Sequence, residues 1–407
     1  MNIIFIEPAF PANQRQFVRA LADIGAHVIG IGERPYDWID AETRGRLGGY
    51  QQIASVTDEA ALERAVREAQ NLMWIDRMEA TVEAHILPAA HVRERTGIPG
   101  TTARTAYLCR DKVAMKEALR AAGVPTAASA GIASLAEARD FAAAHGYPVI
   151  LKPRAAAGAQ GTFRADNDAA LADAARRCGL ADGAPVAIEE FVEGHEGFYD
   201  TLTIEGRTVH DFASHYYPNV LEAMRTRWIS PQIVATNRMN APFYEEVRAL
   251  GQKVTDALGI WTSATHMEWF HGPRGLRFSE IGCRPPGVGQ WDSYCAGNEI
   301  DLYREWALAV CHQRTNATPS RRYSCGIIAL RPEGDGHIAG YAGTEGVFEQ
   351  YGDLVVGDHF PPPGTPTQPV EAGYMANAWM RLRHPDYDGL RGVLDDIGRR
   401  ITVHAAQ

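Results

Sequence analysis

Two glutamates, Glu268 and Glu280, lie on two stretches of the chain that alternate in the manner of β-strands. The two stretches are joined by residues 272–275, a turn with a glycine at each end. Successive side chains of a strand point to opposite faces, so Glu268 is expected to share a face with His266 and Phe270. A hairpin of this kind can bring the two carboxylates together over one site.

The second strand of this hairpin extends the pattern, because Phe278 and Glu280 are also expected to share a face. Close carboxylates repel each other unless a cation or a proton lies between them, and oxygen ligands beside a nucleotide phosphate favour Mg²⁺. A hairpin with two solvated surface glutamates is the alternative. Arg284, which is followed by the rigid residues 285–287, favours a functional site instead.

Two lysines are candidates for binding phosphate, because a lysine is a compact and mobile positive charge. Lys152 ends the apolar stretch at residues 149–151 and precedes Pro153, and a charge that emerges from a buried strand needs a partner. Lys112 follows an Arg-Asp pair. A solvated surface lysine is the alternative for both, and for Lys112 taken alone it is the stronger one.

The loop at residues 155–161 holds only small residues and one amide, Gln160. Glycines such as Gly158 and Gly161 expose backbone N–H groups, which can cradle phosphate without side chains. A mobile loop at this point could also close over a triphosphate and exclude water. Small-residue turns are common, so the loop is a weak signal when taken alone.

These segments occur in a fixed order with residues 110–112, the acidic stretch at residues 189–192 and Glu196. The ordered set resembles the ATP-grasp superfamily of ATP-dependent carboxylate ligases, and within it the L-amino-acid ligases and other dipeptide-forming enzymes. The resemblance covers roughly residues 1–310 and depends on the set rather than on any one motif.

The resemblance implies which residues bind ATP. Either Glu189 or Glu190 accepts the adenine amino proton, and the sequence leaves both open. The backbone of Phe191 and Val192 pairs with the edge of the ring, and Glu196 matches the ribose-binding carboxylate. The full implied set is Lys112, Lys152, Gly158, Gln160, Gly161, Glu189, Glu190, Phe191, Val192 and Glu196.

The resemblance further implies that Glu268 and Glu280 hold Mg²⁺, for which Mn²⁺ can substitute, between the β- and γ-phosphates. Arg284 is the implied catalytic residue, which stabilises the transferring phosphoryl group. Gly282 stands where many relatives carry a third ligand, an asparagine, and water or substrate can take its place. Ala159 and Gln160 stand where many relatives carry a serine in this loop, so a hydroxyl contact to the β-phosphate is in doubt.

Four residues are candidates for binding the substrates, each with an ordinary structural alternative. His266 could equally be a core histidine. Arg225 and Arg227 could clamp a carboxylate or be two surface arginines. Glu83 opens a helix where relatives place an acidic residue that faces the substrate cleft, but a glutamate at that position also complements the helix dipole.

The composition is that of an ordinary soluble globular protein, with 407 residues of which 45% are hydrophobic. A net charge of −10 and the lack of a basic stripe argue against nucleic-acid binding. Six cysteines without CxxC or zinc spacing are typical of the cytoplasm. We expect no targeting segment and no membrane span. The expected partners are a small-molecule carboxylate and amine, amino acids above all, and a homodimer is left open.

Alternating strand and helix patterns predict a parallel α/β domain in residues 1–101, which the resemblance identifies as a pre-ATP-grasp domain. The resemblance also implies that residues 102–315 form the ATP-grasp domain, with two lobes and a hinge near residues 189–192. Residues 316–407 are predicted to form a separate α+β subdomain. The expected fold class therefore combines α/β and α+β parts around an ATP-grasp fold.

Two local predictions bear on the site. The short apolar run at residues 71–75 is interpreted as the third strand of the N-terminal domain, and the helix after it contains Glu83. Residues 212–240 have weak periodicity and carry Arg225 and Arg227, which favours a binding loop or lid.

The predicted function is an ATP-dependent ligase that forms a C–N bond through an acyl phosphate and releases ADP and phosphate. One alternative is an ATP-grasp carboxylase or purine-biosynthesis-type enzyme that activates bicarbonate or formate. The other is a non-catalytic, nucleotide-binding regulatory protein, against which the joint presence of Glu268, Glu280 and Arg284 speaks.

Overall fold

The computed structural model describes residues 1–155, 161–370 and 377–407. The N-terminal part consists of β1 Asn2–Ile6, α1 Gln14–Asp23, β2 His27–Gly32, α2 Ala41–Arg46, β3 Leu47–Gln52, α3 Glu59–Leu72, β4 Arg77–Glu79 and α4 Glu83–Thr96. Its four strands pair in parallel in the order β3-β2-β1-β4. Alternate residues of β1 pack into two different apolar clusters, one on each face, as expected for a parallel sheet covered on both sides. The predicted parallel α/β arrangement is confirmed.

The predicted strand at residues 71–75 is wrong. Residues 71–72 end α3, and the strand that pairs with β1 lies at Arg77–Glu79. The side chains of Leu72 and Trp74 are 81% and 80% exposed, so the run is apolar without being buried. Strand β3 was not predicted, because its two glycines and polar residues at the edge of the sheet lack an apolar pattern.

The middle of the chain forms a second, antiparallel sheet with the strand order β5-β8-β6-β7. Asp111 caps the helix that carries Lys112, since its side chain accepts hydrogen bonds from the backbone N–H groups of Val113 and Ala114. The elements are α5 Ala103–Leu108, α6 Lys112–Ala121, β5 Ser129–Ile132, α7 Leu135–His145, β6 Val149–Pro153, β7 Phe163–Ala165, α8 Asp168–Arg177 and β8 Val186–Glu190.

The rest of the chain is built on an eight-stranded antiparallel sheet with the order β13-β12-β9-β10-β11-β14-β17-β16, beside which β15 and β18 form a separate ribbon. Its elements are β9 His195–Ile204, β10 Arg207–Tyr217, α9 Val220–Ala223, β11 Gln232–Ala235, α10 Pro242–Leu258, β12 Ser263–Gly272, β13 Gly275–Gly282, α11 Gln290–Asn298, α12 Leu302–His312, β14 Ser324–Leu330, β15 His337–Ala342, α13 Thr344–Tyr351, β16 Val355–His359, β17 Ala378–His384, α14 Tyr387–Arg400 and β18 Thr402–Ala406. Short 3₁₀ turns lie at Tyr36–Trp38, Leu180–Asp182 and Gly352–Leu354.

Two sequence interpretations of this region need correction. Residues 212–217 belong to β10 and residues 232–235 to β11, so only the segment between these two strands can act as a loop. The strands beyond residue 320 do not all form a sheet of their own, because β14 pairs with β11 and carries the large sheet onward to β17 and β16.

Aromatic packing fixes the N-terminal sheet against the large one. The ring of Phe17 on α1 lies with its centroid 5.0 Å from the centroids of Tyr303 and Trp306 on α12. The same apolar cluster contains Phe198 and Leu202 of β9, and buried aromatic contacts of this kind add to the stability that burial of their area supplies. Across the described residues, we find no helix with both the length and the apolar character needed to cross a bilayer.

Candidate active site

A cavity of about 810 Å³ is lined by residues of the middle sheet, of the large sheet and of α4. It brings together most of the residues that the sequence singled out. Those that line it are Glu83, Lys112, Lys152, Glu189, Glu190, Phe191, Val192, Glu196, Arg225, His266, Glu268, Glu280 and Arg284. Gly158 and Gln160 lie outside the described residues. Gly161 has a φ of +68°, a conformation that glycine adopts without strain, and its neighbour Thr162 lines the cavity.

The predicted phosphate-binding Lys152 is part of a buried cluster of charges. Its Nζ lies 2.9 Å from Oε2 of Glu189, and Nζ of Lys116 lies 2.6 Å from the same oxygen. Burial opposes ionisation of Glu189, but the two lysines outweigh it and lower the pKa of this carboxyl to about 2. Its other oxygen, Oε1, is buried and has no hydrogen-bond partner in the described part of the chain.

Lys116 was missed by the sequence analysis. It lies one helical turn after Lys112 on α6, so the two side chains share a face of the helix, and this spacing was the available signal. Lys116 is 1% exposed. Burial is the main reason that its pKa is lowered to about 8, and Glu189 opposes that shift.

Glu189 and Glu190 have different surroundings. Glu189 binds the two lysines, whereas Oε2 of Glu190 lies 3.1 Å from Nη1 of Arg274 and its Oε1 accepts a hydrogen bond from the backbone N–H of Ala128. Each carboxylate oxygen of Glu190 therefore already has a partner. Oε1 of Glu189, in contrast, has no hydrogen-bond partner among the described residues.

The two candidate metal ligands face each other. Glu268 of β12 is the direct cross-strand partner of Glu280 of β13, and Oε1 of Glu280 lies 3.0 Å from Nζ of Lys112. Phe278 and Glu280 both line the cavity, but they do not alternate as in a regular strand, because the register shifts beside Glu268 and pairs Phe278 with Trp269. This β-bulge leaves Ser279 as the extra residue and packs Phe278 in the apolar core.

A third carboxylate makes this part of the cavity strongly acidic. Glu196 is buried, and its Oε2 accepts a hydrogen bond from the backbone N–H of Val220. Burial, together with the nearby charge of Glu268, raises the pKa of Glu196 above its ordinary value. Crowded carboxylates with unfavourable interactions are a setting into which a divalent cation fits. Within the described residues no three His, Cys, Asp or Glu side chains converge as a complete metal cage, and Mg²⁺ typically takes only one or two carboxylates plus phosphates and water.

Arg284 reaches the cavity from the end of the hairpin and is held there by Glu83 of α4. Its Nε lies 2.5 Å from Oε2 of Glu83, and Nη1 of Arg110 lies 3.1 Å from Oε1 of the same residue. Burial opposes ionisation of Glu83, but Arg284 and Arg110 lower the pKa of this carboxyl below its ordinary value. The N-terminal part of the chain therefore contributes a charged residue to the site.

His266 is held by a hydrogen-bond chain behind it. Its Nδ1 lies 2.7 Å from Oδ1 of Asp200, whose Oδ2 accepts a hydrogen bond of 2.5 Å from the hydroxyl of Tyr294. Burial disfavours a charged imidazole, but Asp200 outweighs it and raises the pKa of His266 to about 9. The side chain is 12% exposed and lines the cavity, and its role in binding a substrate stays a prediction.

The two arginines of the predicted lid have different surroundings. Arg225 lines the cavity. Arg227 points to the C-terminal part of the chain, where its Nη2 lies 2.5 Å from Oδ1 of Asp335, and it is not among the described residues that line the cavity.

Residues 117–297 match the family model of the ATP-grasp domain. The L-arginine-specific L-amino acid ligase of Bacillus subtilis is 27% identical over 246 residues, which cover 58% of this chain and 58% of that protein. The chain thus spans little more than half the length of this relative. The formate-dependent phosphoribosylglycinamide formyltransferase of Nitratidesulfovibrio vulgaris is 27% identical over 308 residues, with 73% and 74% covered.

Among solved structures, the L-amino acid ligase from Bacillus licheniformis matches with a TM-score of 0.78 at 17% identity, and the match covers 100% of this chain and 99% of the other. This likeness confirms the predicted fold. The matched domain shows that residues 117–297 are an ATP-grasp domain, and the chain is similar to ligases that share this fold.

Proposed function

We propose that the protein is an ATP- and Mg²⁺-dependent carboxylate–amine ligase, which forms an amide or peptide bond through an acyl phosphate and releases ADP and phosphate. The observation that carries the proposal is one cavity in which Lys112 and Lys152 lie beside the opposed carboxylates Glu268 and Glu280. A nucleoside triphosphate suits this arrangement, because its phosphates can bind the lysines and can supply the remaining oxygen ligands of Mg²⁺.

The nucleotide is proposed to bind along β8 and the start of β9. Oε1 of Glu189 is a buried acceptor without a partner among the described residues, which favours Glu189 over Glu190 as the acceptor for the adenine amino group. The backbone of Phe191 and Val192 would pair with the ring edge, and Glu196 would bind the ribose. Each of the four proposed residues lines the cavity.

Glu268 and Glu280 would hold Mg²⁺, which when bound neutralises charge on the β- and γ-phosphates. A carboxylate oxygen of the first substrate attacks the γ-phosphorus while the bond to the bridging oxygen breaks, giving an acyl phosphate and ADP. The amine nitrogen then attacks the acyl carbon, phosphate leaves and the nitrogen loses a proton. Arg284, oriented by Glu83, would stabilise the charge on the moving phosphoryl group.

Amino acids are the proposed substrates, because a similar protein is an L-arginine-specific L-amino acid ligase. Glu83, Arg225 and His266 line the cavity and are proposed to contact them. We leave Arg227 out of this set because of its ion pair with Asp335. We further propose a cytoplasmic location, which the six free cysteines support, and neither a nucleic-acid nor a membrane partner; the homodimer stays a prediction.

An enzyme that activates formate or bicarbonate is the second candidate. The match to the formate-dependent formyltransferase is longer than the match to the L-amino acid ligase, at 308 residues against 246. The two candidates share the acyl phosphate chemistry and differ in the acid that enters the site.

A screen for ADP release tests both candidates. Amino acids are offered singly and in pairs, with formate and bicarbonate as separate arms. We expect ADP and phosphate to appear only with a matching acid and amine. Release of AMP and pyrophosphate would contradict the mechanism, full turnover with formate or bicarbonate would favour the second candidate, and no turnover in any arm would favour a regulatory protein.

We expect Lys152→Ala and Lys112→Ala each to weaken ATP binding at least about tenfold, because each removes a charge-assisted contact worth about 1.5–3 kcal/mol. Calorimetry with ATP and Mg²⁺ measures the effect. Lys253→Ala is the matched control, since Lys253 is exposed on α10. Unchanged affinity in the Lys152 variant would remove this residue from the proposed phosphate site.

A further inference from the structure

One oxygen of Glu189 binds two lysines at once. Lys116 and Lys152 approach Oε2 of Glu189 to 2.6 Å and 2.9 Å. All three side chains are buried, with 1%, 8% and 5% of their surfaces exposed in the order Lys116, Lys152 and Glu189. A single carboxylate thus holds two buried ammonium groups, although one is enough to neutralise it.

This duplication matters once Lys152 is required elsewhere. A lysine that binds phosphate has to turn at least partly away from Glu189, and a buried carboxylate left without a cation is strongly destabilised. Lys116 extends from α6 and is the more deeply buried of the two lysines. It can therefore stay on Glu189 while Lys152 moves to the phosphates.

Lys112, one turn before Lys116 on α6, contacts a different carboxylate. Lys112 lies 3.0 Å from Oε1 of Glu280, at the predicted metal ligand, whereas Lys116 contacts Glu189. The ion pair of Lys112 is therefore made with a different carboxylate from that of Lys116.

We propose that Lys116 is a positioning residue, which keeps Glu189 ionised and oriented while Lys152 binds phosphate, so that Oε1 can accept a hydrogen bond from the amino group of adenine. The inference rests on the proposed ATP-dependent function. It makes Lys116 a determinant of base specificity. An ionised Glu189 accepts from the 6-amino group of ATP and repels the 6-carbonyl of ITP, whereas a protonated Glu189 donates to that carbonyl.

The test is the ratio of the Kd values for ITP and ATP, measured by calorimetry with Mg²⁺. We expect the parent to prefer ATP. In Lys116→Met, ATP affinity should fall at least about tenfold and the preference for ATP over ITP should shrink at least about tenfold. Lys116→Arg should restore most of both, because a guanidinium also binds a carboxylate. The control Lys253→Met should match the parent.

An unchanged ITP-to-ATP ratio in Lys116→Met would overturn the inference, because a residue with only a structural role would lower stability without altering base preference. A parent that binds no ATP would overturn the proposed function, and the inference with it. If Lys116→Met does not fold, Lys116→Gln is measured in its place and the same ratio decides, since both nucleotides are titrated into one preparation.

Discussion

We expect Arg284→Ala to lower the rate of acyl phosphate formation by about 10²–10³-fold, comparable to the loss of one oxyanion donor, with little change in ATP affinity. The charge of Arg284 is needed chiefly while the phosphoryl group moves, so its loss acts on the transition state more than on the bound nucleotide. Hydroxylamine, supplied with the correct acid, replaces the amine and traps the acyl phosphate as a hydroxamate, whose rate of appearance measures the effect.

The structure makes this substitution easier to interpret. Glu83 loses one partner in Arg284→Ala but keeps Arg110 at 3.1 Å, so no buried carboxylate is left without a cation. Arg104→Ala is the matched control, since Arg104 is exposed on α5. Equal losses of hydroxamate formation and ATP affinity would mean that Arg284 binds the nucleotide and has no special role in the transfer.

The sequence predicts the acidic hairpin well because strand alternation and a glycine-bounded turn are local signals. It places Glu268 and Glu280 on neighbouring strands, which the structure pairs directly. It does not predict the β-bulge at Ser279. A bulge depends on the packing of Phe278 against the core, a contact between distant parts of the chain that no local pattern records.

The charge network around the cavity could be predicted only in part. Lys116 was detectable from its helical spacing to Lys112, but its burial and its bond to Glu189 join elements that are far apart in the chain. The contact between Glu83 and Arg284 spans 201 positions. Individual candidates can therefore be selected by residue type, whereas their partners follow from the tertiary fold.

The strand errors have a similar cause. Leu72 and Trp74 lie in an apolar run that is exposed, while β3 is mostly polar and contains glycines at the sheet edge. Apolar character predicts a strand only when that character is buried, and burial is decided by the neighbouring elements.

We expect Glu280→Gln to lower turnover at least about a hundredfold while the fold stays intact, because even a residue that only supports a metal ligand typically accounts for 10–100-fold in affinity or activity. The amide keeps the shape of the side chain but removes the charge that would attract Mg²⁺. A titration of Mg²⁺ in the presence of ATP should show weaker Mg²⁺ binding, with its midpoint at a higher Mg²⁺ concentration. Glu268→Gln should behave alike, since the two carboxylates face each other.

The contact of Glu280 with Lys112 provides the internal check on this prediction. Lys112 lies 3.0 Å from Glu280, so Glu280→Gln could act through the lysine alone. In that case Lys112→Ala and Glu280→Gln would weaken ATP binding alike and leave the Mg²⁺ titration unchanged. If Glu280 is a metal ligand, the Mg²⁺ titration instead shifts in Glu280→Gln and stays unchanged in Lys112→Ala. The control is Glu246→Gln, because Glu246 is exposed on α10, and it should leave the Mg²⁺ titration unchanged. If the titration of Glu280→Gln matched that of this control, the role of the hairpin would be purely structural.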